Sequence, residues 1–135
     1  KNPLPQGLSG NVLASCTRKA PDTTLMPRIS PTRLVLSTCP DGKTAGRIAR
    51  ALVGEKLAAC VNILPIERSV YRWKGKVKSA REKLLIIKIR AADYRRVETR
   101  LRALHPYELP EVLAVPVVAG YARYLAWINN PDTIR

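Results

Sequence analysis

Residues 59–90 read ACVNILPIERSVYRWKGKVKSAREKLLIIKIR, and the way this stretch folds back on itself decides the architecture. Residues 59–73 are β-branched and aromatic enough for a long strand, interrupted by Pro65. Proline donates nothing to a ladder, so this strand belongs at a sheet edge or carries a bulge. Lys74-Gly75-Lys76 reads as a tight turn, and the chain doubles back as a hairpin. The return ends in LLIIKI, residues 84–89, which is apolar almost throughout, as expected of a strand covered on both faces.

The flanks continue the pattern. RLVLSTC, residues 33–39, is a second apolar strand closed by the turn Pro40-Asp41-Gly42. Ala45, Ile48, Ala49, Leu52 and Val53 then recur at helical spacing, which predicts a helix over 42–57 with Asp41 as its N-cap. Tyr94, Val97, Leu101 and Leu104 mark a second helix over 92–104. EVLAVPVV, residues 111–118, is a fourth strand bearing Pro116, and YARYLAWIN after Gly120 is a short terminal helix. The order βαββαβ plus a C-terminal helix predicts an α+β, ferredoxin-like sandwich: an antiparallel sheet with two helices on one face. The first and third strands should be central. The second and fourth, which hold the prolines, should be edges.

One domain over 31–130 accounts for this patterning. Residues 1–30 are rich in Pro, Gly, Ser and Thr without apolar periodicity, and read as a flexible leader or extension. A basic, acid-poor transit peptide is the rival reading, but the segment is not amphipathic. No apolar run approaches the length of a membrane span. Three cysteines, Cys16, Cys39 and Cys60, lack a disulfide-framework spacing, which points to a reducing, cytoplasmic setting. Twenty-four basic against ten acidic residues give a net charge of +14. That charge invites a nucleic-acid partner, yet it is scattered rather than clustered. The chain has no phenylalanine, and its central strands carry no aromatics of the kind RNA-recognition sheets use for stacking.

The sole histidine, His105, lies in LHPYELPEV, residues 104–112. Soft metals select imidazole and thiolate, so His105, Cys39 and Cys60 are the soft donors of the patterned region. Cys39 and Ser37 should share a strand face. Lys88 interrupts LLIIKI, and a lysine in a central strand needs a carboxylate or an exit to water; Glu111 is the expected partner. Glu82, Tyr107 and Glu108 complete the cluster. Tyr71 and Trp73 alternate onto one face near the hairpin tip, where large aromatics usually anchor an interface. No activated nucleophile or Gly-rich phosphate loop is present, so catalysis is not expected.

STCPD (37–41), LAACVNILP (57–65), SVYRWKGKV (69–77) and LHPYELPEV (104–112), in this order and spacing, resemble the CutA family of divalent-cation tolerance proteins over about residues 33–128. The resemblance implies a ferredoxin-like subunit in a tight homotrimer, with hairpins and edge strands paired between subunits. It implies a role in the response to metal ions, with weak copper binding, and a cleft between subunits for a metal ion or small anion. On donor type His105 and Cys39 are the candidate metal ligands, with Cys39 standing in from two residues away for the family's cysteine, and Cys60, Lys88, Tyr107 and Glu111 are the candidate cleft residues. Some members carry cysteine where this chain has Ser37, and a histidine pair where it has Leu104-His105. A basic ferredoxin-like nucleic-acid-binding module is the alternative.

Overall fold

A computed structural model describes residues 30–133. The elements are β1 (Thr32–Cys39), α1 (Gly42–Gly54), β2 (Cys60–Trp73), β3 (Lys76–Arg90), α2 (Tyr94–Leu104), β4 (Leu113–Pro116) and α3 (Ala122–Asn129), with a 3₁₀ turn over Ala91–Asp93 before α2. The four-stranded sheet has the order β2-β3-β1-β4, and all three pairings are antiparallel. This is the ferredoxin-like α+β fold, with β1 and β3 central and the proline-bearing strands outside.

The core lies between the helices and one sheet face. Val35, Leu85, Ile87 and Ile89 meet Ala45, Ile48 and Leu52 of α1 and Val97 and Leu101 of α2, and all are buried. Odd-numbered residues of β1 and β3 point this way, because register pairs Val35 with Ile87 and Ser37 with Leu85 and side chains alternate across a strand. Leu34, Leu36, Leu84 and Ile86, at even-numbered positions, fall on the opposite face and remain only half-buried.

α1 starts where expected: the Asp41 side chain accepts a bond of 2.7 Å from the Thr44 amide, satisfying one of the helix's orphan N–H groups. It stops at Gly54, three residues before the expected end. There Leu57 N–H donates to Leu52 O at 2.9 Å and Lys56 N–H to Val53 O at 3.1 Å, the paired bonds of a Schellman stop. That stop requires a left-handed residue, and Lys56 supplies it at φ 61°. A lysine there carries the Cβ strain that glycine avoids. Lys56→Gly is therefore expected to stabilise the protein by about 0.5–1 kcal/mol, read as a higher urea midpoint.

Pro65 stays in register opposite Lys83; the irregularity falls just after it. Ile66 pairs with Glu82 and Ser69 with Ala80, so Glu67 and Arg68 together oppose Arg81 as a β-bulge. The extra residue inverts the parity of β2. Beyond it, odd-numbered Ser69, Tyr71 and Trp73 share the face of Glu82 and Lys78, opposite the helices. β4 is shorter than its apolar pattern, only Leu113–Pro116, with Pro116 opposite Arg33.

Asp93, 2 % exposed, holds the entrance of α2. Arg90 donates to it through Nε at 2.7 Å and a terminal nitrogen at 3.0 Å, and Arg96 adds a third bond. The Arg90 bonds chiefly, then Arg96, hold this carboxyl below the usual carboxylate range despite burial. A depressed folded-state pKa contributes stability that is complete above the unfolded pKa of about 4 and lost as pH falls through the folded value. The urea midpoint of the wild type should hold from pH 7 to 5 and fall below pH 4. Asp93→Asn should start lower and lose less on acidification.

Candidate functional site

The stretch around His105 is fixed first by backbone geometry. Pro106 pushes His105 into extended conformation (φ −80°, ψ 135°), where it caps α2. The imidazole, 8 % exposed, turns back onto the end of β1. Its Nε2 lies 2.8 Å from the Thr38 carbonyl oxygen, and its Nδ1 lies 3.1 Å from the Tyr107 backbone N–H. A carbonyl only accepts and an amide N–H only donates, so Nε2 carries the proton and Nδ1 does not. The ring is neutral, with both nitrogens engaged.

Cys39 is fully buried, with its Sγ 3.8 Å from His105 Nε2. The fold thus joins the two expected soft donors. Burial, reinforced by the charges of Asp41 and Glu82, raises the thiol to about 11, so it is protonated at neutral pH. A thiol and an imidazole that must first give up a proton or a hydrogen bond do not fit a closed resident metal site. Among the described residues no group of three or more His, Cys, Asp or Glu side chains is placed to hold a metal ion. Ser37 shares the face of Cys39, but its buried hydroxyl has no hydrogen-bond partner among the described residues.

Tyr107 and Glu111 do come together with Glu82. The Tyr107 hydroxyl donates to Glu82 Oε2 at 2.7 Å. Burial first, then this bond, raises the phenol. Burial and the Glu82 charge also raise the Glu111 carboxyl. These groups border a cavity of about 690 Å³, lined also by Tyr71 and Trp73 from the hairpin and by Lys78 and Glu108. The parity inversion after the bulge is what brings the two hairpin aromatics here.

Lys88 is elsewhere. It pairs in register with Cys60, six residues along β3 from Glu82 and so roughly 20 Å away. The expected Lys88–Glu111 ion pair does not form. Instead, Lys88 Nζ donates to the Tyr124 hydroxyl of α3 at 2.9 Å and lies 5.3 Å from that ring's centroid. The phenol bond raises the Lys88 ammonium's pKa. The half-open sheet face resolves the need for a partner through α3, which sequence spacing gave no reason to place there. One site uniting Cys60, Lys88, Tyr107 and Glu111 would need more than one chain.

A ferredoxin-like protein with an aromatic, acidic cavity and a buried thiol–imidazole contact is the class these features define. Residues 33–131 match the family described as CutA1 divalent ion tolerance protein, and the chain belongs to that family. It is 45 % identical to the divalent-cation tolerance protein CutA of Thermus thermophilus over 97 residues, covering 72 % of this chain and 94 % of the relative. It is 44 % identical to the chloroplastic CutA of Arabidopsis thaliana, where the match spans 74 % of this chain and only 55 % of that protein. The crystal structure of CutA from Xylella fastidiosa superposes with a TM-score of 0.71 at 50 % identity, covering 73 % of this chain and 95 % of that one.

Proposed function

We propose that this chain acts in divalent-cation tolerance as a non-catalytic homotrimer, with copper the favoured metal, held weakly at Cys39 and His105. The open sheet face carries the reading. Opposite the helices lie half-buried Leu34, Leu36, Leu84 and Ile86, with exposed Leu64, Leu113 and Val115 paired beside them. That is more contiguous apolar surface than a monomer usually leaves in water. Among the described residues no strand pairs with the outer side of β2 or of β4. Edge-to-edge pairing of β2 with a neighbour's β4 is heterologous, and such contacts close into rings.

Weak metal contact follows from the donor count: two soft groups 3.8 Å apart, with the thiol protonated and the imidazole hydrogen-bonded on both sides. Copper is then cargo rather than a structural ion. Non-catalysis is supported by the same bonds, since an imidazole so engaged is not poised as a base. A cytoplasmic location is proposed from the free thiols of Cys39 and Cys60; the chloroplastic relative marks variation in compartment among these proteins. The nucleic-acid reading finds little to build on, because the open face of β1 and β3 presents aliphatic side chains and Lys88 instead of stacking aromatics.

Native mass spectrometry with Cu(II), Cu(I) and Zn(II) tests both halves. The expected spectrum is a trimer taking up to one copper per chain, with uptake at least tenfold reduced in Cys39→Ser and in His105→Gln. A monomer, or copper uptake unchanged in both variants, contradicts the assignment.

A further inference from the structure

Positive charge that is scattered along the chain is gathered by the fold on the outer surface of the helix layer. α1 carries three basic residues and no acidic one, and α2 four basic residues against Glu98. Helical spacing then aligns them. Lys43, Arg47 and Arg50 recur at i, i+4 and i+7, on the side of α1 away from buried Ala45, Ile48 and Leu52. Arg95 and Arg102, seven residues apart, lie on the side of α2 away from buried Val97 and Leu101. All five are exposed. The helices run side by side and antiparallel: Arg47 donates to the Leu104 carbonyl at 3.2 Å, and Arg100 donates to Glu55, just past the end of α1, at 2.9 Å. Two cationic rows therefore lie roughly 10 Å apart.

Nothing in the stability of the fold asks for these cations. Neighbouring acids are engaged elsewhere: Asp41 by the Thr44 amide, Glu55 by Arg100, Asp93 by Arg90 and Arg96. Lys43, Arg50, Arg95 and Arg102 make no ion pair or side-chain hydrogen bond among the described residues. Lys43 and Arg95 stand in the first turns of their helices, where the helix dipole repels a cation, and like charges three and four residues apart on α1 repel each other. An anionic partner would reverse each of these costs. The rest of the surface narrows its class. Two helix backs form a convex face, which cannot enclose a small anion but can follow a polymer. Neither helix exposes a leucine, isoleucine or aromatic side chain, so the face lacks both the apolar anchors of a membrane-bound helix and the platforms on which unpaired bases stack. What fits is a regular row of phosphates, met by side chains that are mostly arginine. We propose that the outer face of α1 and α2 docks the phosphate backbone of double-stranded nucleic acid, independently of sequence. This face lies opposite the one assigned to subunit packing, so it stays in water in a trimer as in a single chain.

Fluorescence anisotropy of a labelled DNA duplex, titrated with the full chain from low to physiological salt, tests this. Micromolar binding at low salt should weaken with a log–log slope of about −3 to −4, as expected for four phosphate contacts. Two duplexes of unrelated sequence should bind within twofold of each other. Arg50→Glu with Arg102→Glu should weaken binding at least tenfold at unchanged circular dichroism. Lys43→Gln with Arg95→Gln should weaken it at least threefold while the urea midpoint holds or rises, because a cation leaves each helix N-terminus. A merely structural role would lower the midpoint instead. Arg68→Gln with Arg123→Gln removes equal charge from the hairpin and α3, and should change binding less than twofold. The proposal is overturned if the duplex does not bind at micromolar protein in low salt. It is overturned equally if the helix variants lose no more than the Arg68 and Arg123 pair, or if phosphatidylserine vesicles capture the chain in preference to the duplex. Trimer mass and copper uptake in the same samples should not change, and they read the tolerance function separately.

Discussion

Ile87→Ala is expected to lower stability by about 3–4 kcal/mol, within the range found when a buried isoleucine is truncated. Ile87 sits in the middle of β3, fully buried. It faces the helices, is paired in register with Val35 of β1 and Val61 of β2, and belongs to the core formed with α1 and α2. Neighbours on a central strand cannot collapse into the space left behind, because the hydrogen-bond ladder on each side fixes their backbones. Ile87→Leu conserves the volume and should cost less than about 1.5 kcal/mol. Urea unfolding at a fixed protein concentration separates the two, and equal losses would show that the site relaxes freely.

Ile86→Lys, one residue away, should do the opposite. Its side chain points from the other face, where half-buried aliphatic residues await cover. The subunit fold should survive with near-native circular dichroism, because the lysine can reach water from an isolated chain. In a trimer assembled through this face, three ammonium groups would be buried close together at a cost of several kcal/mol each. That is a weakening of assembly by at least about 1,000-fold at 1.4 kcal/mol per decade. Light scattering behind size exclusion should then report monomer where the wild type gives trimer. A variant that remains trimeric at micromolar concentration would place the interface elsewhere.

These two adjacent residues show what periodicity could reach. Apolar character all along LLIIKI implied cover on both faces; α1 and α2 supply one of them, and on the other α3 reaches Lys88. The secondary elements were legible because their patterns are local: helical spacing for Ile48 and Leu52, a turn signal at Lys74-Gly75, an N-cap at Asp41. The early end of α1 was not, since Lys56 adopts a left-handed conformation that composition reserves for glycine. The Cys39–His105 contact was legible as donor types, although they lie 66 positions apart in the chain. Which nitrogen carries the proton was not, because it depends on the Thr38 carbonyl and the Tyr107 amide.

The cleft residues divide on the same principle. Tyr107, Glu111 and Glu82 come together as a cluster, whereas Lys88 binds Tyr124 instead. Nothing in the spacing of Lys88 and Glu111 measures a separation that the sheet sets along β3. Tyr71 and Trp73 were visible as a pair on one strand face, but which face was fixed by the bulge at Glu67-Arg68, two unremarkable polar residues.

By itself the sequence determined the order of elements, the central and edge strands and the family, because these follow from short-range patterning and motif spacing. Only the tertiary structure decided how the soft donors are engaged, where Lys88 finds its partner and that the acidic groups wall a cavity with two aromatics. Each of those depends on register, parity and burial, which arise when distant segments pack and have no local signature in the chain.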